Sequence, residues 1–165
     1  MEKKITILLV VGLGAFLILV LFLLYLVTFT FPTDSQAVCI FTQPSLSCNE
    51  QAHEFIGKNG ESVVLRFHLT NHEDQGIIVV GALCTDNFPG SITKSDIKFF
   101  QDPSDVILLK EGESAVLAVT CTSLNGTAID YQPSKFFKGS LAVLFRKQNE
   151  STYGMSVATV TGEAP

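Results

Sequence analysis

The first part of the chain carries an almost unbroken run of apolar residues, Ile5 to Val27. No ionisable acid or base interrupts this run. At about 1.5 Å of rise per residue, a helix of this length reaches roughly 34 Å, whereas a bilayer core is roughly 30 Å thick. The pattern therefore predicts one N-terminal transmembrane helix over residues 5–31 that lies in the lipid bilayer and ends before Pro32.

Basic residues in front of the run indicate its orientation. Lys3 and Lys4 precede it, and short lysine-rich flanks stay on the cytoplasmic side of a membrane. Residues 1–4 are therefore expected in the cytoplasm. Residues 32–37 then form a linker to an extracellular domain over residues 38–165, in a single-pass protein of the cell membrane.

A cleaved secretory signal is the alternative to a retained anchor. Ser35-Gln36-Ala37 fits a signal-peptidase site with cleavage before Val38. The apolar run is, however, much longer than the roughly 7–15 residues of a signal peptide. Its length favours the retained anchor.

Beyond the linker, apolar residues follow the alternation that is typical of strands. Residues 62–69 alternate between apolar and polar side chains, and residues 77–84 are apolar on both faces. These patterns predict a half-buried strand and a central strand. Residues 106–109 and 114–121 predict a hairpin that turns over residues 110–113.

The last part of the chain predicts a second hairpin, from strands at 137–146 and 151–161. On one face, three residues of its first strand are expected opposite three of its second: Leu141, Val143 and Phe145 opposite Tyr153, Met155 and Val157. Residues 85–105 contain turn-forming residues and are expected to be irregular. Their apolar members, Ile92, Phe99 and Phe100, are expected to cover one end of the core.

Six to eight short strands without a second helical pattern indicate the fold class. We predict an all-β ectodomain, an immunoglobulin-like antiparallel β-sandwich, preceded by one N-terminal transmembrane helix. Tryptophan is absent, so the core tryptophan of antibody domains is missing.

All four cysteines, Cys39, Cys48, Cys84 and Cys121, follow the apolar run. An even number of cysteines in an exported domain predicts disulfides, and four cysteines allow three pairings. We expect Cys39–Cys48, which closes a short loop, and Cys84–Cys121, which joins two core strands. The spacing does not match a zinc ribbon.

The charge of the predicted ectodomain excludes some partners. Residues after position 4 include 9 basic and 15 acidic side chains, so their net charge is 9 − 15 = −6. Nucleic-acid binding requires clustered lysine and arginine, and so does docking on anionic lipid headgroups. We therefore expect no nucleic-acid partner.

The chain presents no recognisable catalytic, cofactor-binding or metal-binding set of residues. The candidates for metal ligands are three histidines and three loop aspartates, namely His53, His68, His72, Asp102, Asp105 and Asp130. His68 and His72 lie on a strand that enters a loop, so the helical geometry of a two-histidine site is missing. No calcium-loop spacing surrounds the aspartates. We expect surface histidines, solvated aspartates and no enzymatic activity.

Two sequons lie in predicted loops of the ectodomain. Asn125-Gly126-Thr127 and Asn149-Glu150-Ser151 both match the N-x-S/T acceptor pattern. On the outer side of a membrane, these asparagines are accessible to glycosylation, which makes Asn125 and Asn149 candidate glycan sites.

The layout resembles the pilin-like surface proteins of archaea and other small anchored surface proteins with a disulfide-bearing β-domain. The resemblance rests on Lys3-Lys4, the run Ile5 to Val27, and the β-patterned segment that holds the four cysteines. It implies that the helix packs into a filament core and that the β-domain is displayed outside.

Two functions follow as hypotheses. The first is a non-catalytic cell-surface protein that acts in adhesion or as a pilin-like filament subunit, with self-assembly through the helix. The second is an anchored binding module or accessory subunit of a membrane protein complex, recruited through the helix. An anchored enzyme is the third possibility, and no nucleophile, base or metal set supports it.

Overall fold

The computed structural model describes residues 18–20, 38–48, 53–57, 61–130 and 136–163. The chain divides into two compact units, Met1–Asp34 and Ser35–Pro165. In the first unit, Ile18–Val20 are helical. The remainder of the predicted helix, the cytoplasmic end and the predicted linker lie outside the described residues. Within the described ranges, no helix has both the length and the apolar character needed to span a membrane.

The second unit consists of strands, which confirms the all-β expectation. Its described residues form nine strands: β1 (Val38–Phe41), β2 (Leu46–Cys48), β3 (Glu54–Ile56), β4 (Val64–Asn71), β5 (Ile77–Thr85), β6 (Ile107–Leu109), β7 (Ser114–Thr120), β8 (Phe136–Lys147) and β9 (Tyr153–Glu163). Three 3-10 helices lie between β5 and β6, at Pro89–Ser91, Lys94–Asp96 and Pro103–Asp105. Sequence patterns did not predict β1, β2 and β3, because strands of three or four residues are too short to establish an alternation.

The strands form two sheets. Within each sheet, neighbouring strands pair antiparallel. Sheet A has five strands in the order β1-β9-β8-β5-β6, and sheet B has four strands around a central β4. β7 pairs with β4 along Val64–Thr70. Since β2 and β3 pair with opposite ends of β4, they share its other edge as two short, consecutive strands.

The two sheets share one hydrophobic core. Leu65, Phe67 and Leu69 of β4 are fully buried and belong to the same cluster as the inward side chains of β8. The rings of Phe55 in sheet B and Phe137 in sheet A lie 4.8 Å apart. A fully buried leucine or phenylalanine contributes about 1.5–3 kcal/mol, so this shared layer is the main source of stability.

Both disulfides join the expected cysteine pairs, and both cross from one sheet to the other. Cys39 of β1 in sheet A is bonded to Cys48 of β2 in sheet B. Cys84 of β5 in sheet A is bonded to Cys121, which directly follows β7 of sheet B. The sequence predicted a link between core strands only for the second bond.

The segment between β5 and β6 covers the outer face of sheet A. Ile92 and Ile97 form a second cluster there with apolar residues of β5, β8 and β9. Gly81 permits this close approach, because a Cβ atom at this position would lie 2.6 Å from the Lys98 carbonyl oxygen. The Lys94 ammonium donates to the Tyr153 carbonyl and attaches the segment to β9.

This arrangement corrects the prediction for two of the three apolar residues of that segment, Ile92 and Phe99. Ile92 covers the outer face of sheet A instead of one end of the main core. Phe100 does pack against the main core, whereas Phe99 is 53% exposed and contacts the ring of Tyr153. The segment contacts β5 at the bulge between Val79 and Gly81, where the Phe100 N–H donates to the Val80 carbonyl oxygen at 2.8 Å.

The predicted hairpin over residues 110–113 is wrong. β6 pairs with β5 in sheet A, whereas β7 pairs with β4 in sheet B. The turn carries the chain from one sheet to the other, and both strands present a buried leucine, Leu109 and Leu117, to the shared core. β6 and β7 therefore do not pair with each other, and both leucines are buried between the sheets instead.

The last hairpin forms as predicted, but its register differs from the expected one. Leu141, Val143 and Phe145 lie opposite Ala158, Ser156 and Gly154, while Met155 and Val157 point to the other face. The large side chains of β8 thus meet small residues of β9 inside the core. The larger β9 residues pack under Ile92 and Ile97 in the second cluster.

Asn71, at the end of β4, is the most connected buried polar residue of the described chain. Its side-chain amide is fully buried and donates to the carbonyl oxygens of Gln75 (2.9 Å), Leu109 (3.2 Å) and Lys110 (3.1 Å). Its Oδ1 accepts a bond from the Glu73 backbone N–H at 2.9 Å. One side chain therefore joins the β4–β5 turn to the end of β6, and so joins sheet B to sheet A.

We predict that Asn71→Ala lowers the free energy of unfolding by about 2–4 kcal/mol, because it leaves several buried backbone groups without partners. The measurement is equilibrium urea unfolding of the unglycosylated chain, followed by circular dichroism. Asn149→Ala is the matched control, since Asn149 lies exposed in a turn and should change stability by less than about 0.5 kcal/mol. Equal losses in the two variants would contradict the role given to Asn71.

Candidate functional site

A polar cleft lies where the β1–β2 loop meets the β4–β5 turn. It consists of two adjoining hollows of about 500 and 470 Å³ that share Gln43, Pro44 and His72. The larger hollow is also lined by Glu73 and Lys147. The cleft is therefore built by loops at one end of the two-sheet domain and by the last residue of β8.

The loop that forms one wall of the cleft is attached at three points. The Thr42 backbone N–H and Oγ1 both donate to the Val157 carbonyl oxygen, at 2.9 and 3.0 Å. The His72 backbone N–H donates to the Ser45 carbonyl oxygen at 2.9 Å. The Cys39–Cys48 disulfide closes the loop at its base. These contacts hold the wall in place before any ligand arrives.

A serine and a histidine meet in the smaller hollow of the cleft. Ser47 Oγ and His72 Nε2 lie 2.7 Å apart. A catalytic serine–histidine pair has a third residue that orients the imidazole, and none of the described carboxylates bonds to His72. The pair supplies a hydroxyl and an imidazole for hydrogen bonding at the surface.

An ion pair lines the larger hollow. Lys147 Nζ and Glu73 Oε2 lie 2.7 Å apart, with 29% and 20% of their side chains exposed. The hydrogen bond to Glu73 raises the pKa of Lys147 above its ordinary value, and the nearby Asp74 and Glu150 charges add to this effect. With Asp74 also in the lining, the cleft carries two acidic groups and one basic group, which suits a polar or cationic ligand group.

The histidines occupy three different environments. His72 lies in the cleft, and His68 lies on the outer face of β4 beside Val116. His53 is 9% exposed, which corrects the expectation of a surface histidine. It is buried because the alternation along β3 places it on the same face as Phe55.

The described residues contain no group of three or more histidine, cysteine, aspartate or glutamate side chains that could hold a metal ion. Asp102 instead caps a 3-10 helix, since its carboxylate accepts bonds from the Ser104 N–H and Oγ at 2.8 and 2.7 Å. These bonds hold the pKa of Asp102 below its usual value. Asp105 and Asp130 are exposed.

Both sequon asparagines are exposed in turns. Asn125 Oδ1 accepts a bond from the Thr127 backbone N–H at 2.9 Å, which forms a compact turn after β7. Asn149 lies in the turn that joins β8 to β9. Glycosylation of either residue stays a prediction.

Sequence reasoning missed Ser47 and Lys147 and identified His72 only as a surface histidine. Ser47, His72 and Lys147 come from three separate parts of the chain, and pairing within sheet B and between β5 and β8 brings them together. Asn71 was the sequence signal that could have indicated this site. It ends a strand before an acidic turn, and an asparagine in that position favours a structured turn over a free loop.

No protein family, no curated protein and no solved structure matches this chain. The chemistry of the cleft is therefore the basis for inferring its function. It offers apolar lining, hydrogen-bonding groups and charges of both signs on a wall that is fixed in advance, which suits a small ligand with a polar or charged group.

We predict that Glu73→Gln lowers the pKa of Lys147 towards its ordinary value, because it removes the carboxylate that stabilises the charged ammonium. NMR titration of Lys147 measures this change. A raised lysine pKa stabilises the fold below pH 10.5 and loses that effect as the pH rises through the folded-state pKa. The wild-type chain should therefore lose this contribution only above pH 10.5.

Glu150→Gln is the matched control for this titration, because Glu150 acts on Lys147 only through its charge. It should lower the pKa of Lys147 less than Glu73→Gln does. If the two variants lowered it equally, the hydrogen bond to Glu73 would not be the main cause.

Proposed function

We propose that this protein is a non-catalytic, membrane-anchored protein of the cell surface. Ile5 to Val27 forms a single transmembrane helix, with residues 1–4 in the cytoplasm and residues 38–165 outside. The outer domain is an immunoglobulin-like β-sandwich that acts in adhesion or as a pilin-like filament subunit.

The main support for this proposal is that all four cysteines are paired in disulfide bonds. The described residues hold no free cysteine, and each bond joins the two sheets. Such bonds persist in oxidising compartments, outside the cytosol. A domain that depends on them therefore fits the extracellular side, which is also the side that Lys3 and Lys4 assign to it.

Two further features support surface display. The sequon asparagines Asn125 and Asn149 are both exposed in turns, where a glycan can be attached without disturbing the core. The Cys84–Cys121 bond links the two sheets, as the inter-sheet disulfide of immunoglobulin domains does. The role in adhesion or filament formation rests on the layout of anchor and displayed domain.

Intact cells that carry a C-terminal epitope test the topology. We expect the epitope to be removed by external protease and the chain to resist extraction from membranes at alkaline pH. Leu19→Arg with Leu23→Arg should release the chain from membranes, because each arginine at the centre of a helix costs about 2.5–3.5 kcal/mol of insertion. Asn125→Gln and Asn149→Gln should each increase electrophoretic mobility if that site carries a glycan.

An epitope that is protected until the cells are opened would contradict the extracellular position. Leu108→Lys with Val116→Lys is the matched control, since both residues are exposed in the outer domain. It also adds two positive charges, but it should leave membrane retention unchanged.

An anchored binding module is the second candidate function, and the polar cleft favours it. The wall closed by the Cys39–Cys48 disulfide is fixed in advance, which lowers the entropic cost of binding. On this proposal, a membrane protein partner presents a polar or cationic group to Ser47, His72 and Glu73.

Crosslinking in native membranes tests this second function. We expect the wild-type chain to crosslink reproducibly to one membrane protein partner. The crosslinked product should be lost in Glu73→Lys, which reverses a charge of the cleft. Glu54→Lys is the matched control, because Glu54 lies exposed on sheet B and pairs only with Arg66 among the described residues. Equal crosslinking by both variants would exclude the cleft as the partner site.

A further inference from the structure

A row of four side chains crosses the outer face of sheet A close to the β8–β9 turn. Ile78 of β5 lies between Leu108 of β6 and Arg146 of β8. Arg146 in turn lies opposite Tyr153 of β9. Neighbouring strands are about 4.8 Å apart, so these four residues extend over about 14 Å. We call them the outer row.

The outer row is largely apolar and stays partly exposed. The segment between β5 and β6 covers the second cluster, further along the sheet, whereas Leu108 is 49% exposed and Tyr153 is 39% exposed. Phe99 extends the row, since its ring packs edge-on against that of Tyr153 at 5.2 Å. Contiguous exposed apolar side chains, unlike single ones, mark interaction sites.

Arg146 lies within this apolar surface and has no counter-ion there. Its guanidinium forms no hydrogen bond or ion pair with any residue of the described chain. The next residue, Lys147, belongs to the cleft and is paired with Glu73. Arg146 is half-buried, and a carboxylate can accept two parallel bonds from its planar fork. An anionic group with paired oxygens therefore suits this position.

We propose that the outer row binds an extended peptide segment in which one acidic residue is flanked by apolar residues two positions before and two positions after it. In an extended chain, side chains two residues apart lie on the same face, about 7 Å from each other. The carboxylate then pairs with Arg146. One apolar side chain reaches Tyr153 and Phe99, and the other reaches Ile78 and Leu108.

The charge of the molecule favours a short acidic peptide over other anionic partners. The chain after residue 4 carries a net charge of −6, which repels extended polyanions such as nucleic acids, sulfated polysaccharides and anionic membranes. Arg146 is the one cation of the outer row, so it matches one carboxylate between apolar groups. The proposal requires neither the membrane anchor nor the cleft, and it goes beyond the proposed function.

The test uses the full chain in nanodiscs of phosphatidylcholine and the fluorescently labelled peptide acetyl-Phe-Ser-Glu-Ser-Phe-amide, with anisotropy as the measure of binding. We expect saturable binding. The matched peptide with glutamine in place of glutamate should bind about tenfold more weakly, because it lacks the charge that strengthens the bonds to the guanidinium. A peptide with serine in place of both phenylalanines should also bind more weakly, because it buries less apolar surface.

Arg146→Gln and Arg66→Gln form a matched pair, since each removes one positive charge from a strand, and Arg66 lies exposed on sheet B beside Glu54. Arg146→Gln should weaken binding of the glutamate peptide by about tenfold, and Arg66→Gln should leave it unchanged. Arg146→Lys keeps the charge and the apolar stem but loses the planar fork, so it should weaken binding to an intermediate extent.

Absence of saturable binding would overturn the proposal. Equal affinity for the glutamate and glutamine peptides, or equal loss in Arg146→Gln and Arg66→Gln, would also overturn it. Phosphatidylserine vesicles or heparin that bound through Arg146, while the peptide did not, would overturn it by identifying a lipid surface or a sulfated polysaccharide as the occupant. Failure of the membrane-topology or crosslinking experiment would leave peptide binding unaffected, so the proposals fail independently.

Discussion

Each sheet of this domain can bury its apolar face only against the other sheet, and both disulfides cross that interface. Sheet B alone offers one long pair, β4 with β7, and two three-residue strands, which is too little to be stable in isolation. Closing chain separations of 9 and 37 residues contributes about 2.5 and 4 kcal/mol through unfolded-state entropy. Together with Asn71, these bonds hold the sheets in contact where the short strands cannot.

The outer faces of the two sheets differ in how they are covered. Sheet A has a second apolar cluster on its outside, and the segment between β5 and β6 covers it. Sheet B has no such cover among the described residues, and its outer face mixes His68, Thr70 and Val116 with other exposed side chains. Among the described residues, sheet B therefore leaves more of its outer face exposed than the covered middle of sheet A does.

The long strands were predictable from the sequence because alternation and continuous apolar runs are local properties. β4, β5, β7, β8 and β9 each carry enough residues to express one of these patterns. Pairing was not predictable, because it depends on which sheet a strand joins. The turn at 110–113 has the sequence signals of a hairpin. The two strands that it connects nevertheless lie in different sheets, since Leu109 and Leu117 both need burial. Likewise, the register of β8 with β9 depends on the fit between Phe145 and Gly154, whose volumes complement each other across the strands.

The proposed binding cleft and the core place different demands on the sequence. The cleft depends on particular side chains, Ser47, His72 and Glu73, on a wall fixed by a disulfide, so single substitutions should change what it binds. The core depends on packed volume, as at Phe145 and Gly154, so it restricts the size of the side chains that it accepts. A two-sheet domain built this way can vary the residues of its cleft while it retains its fold.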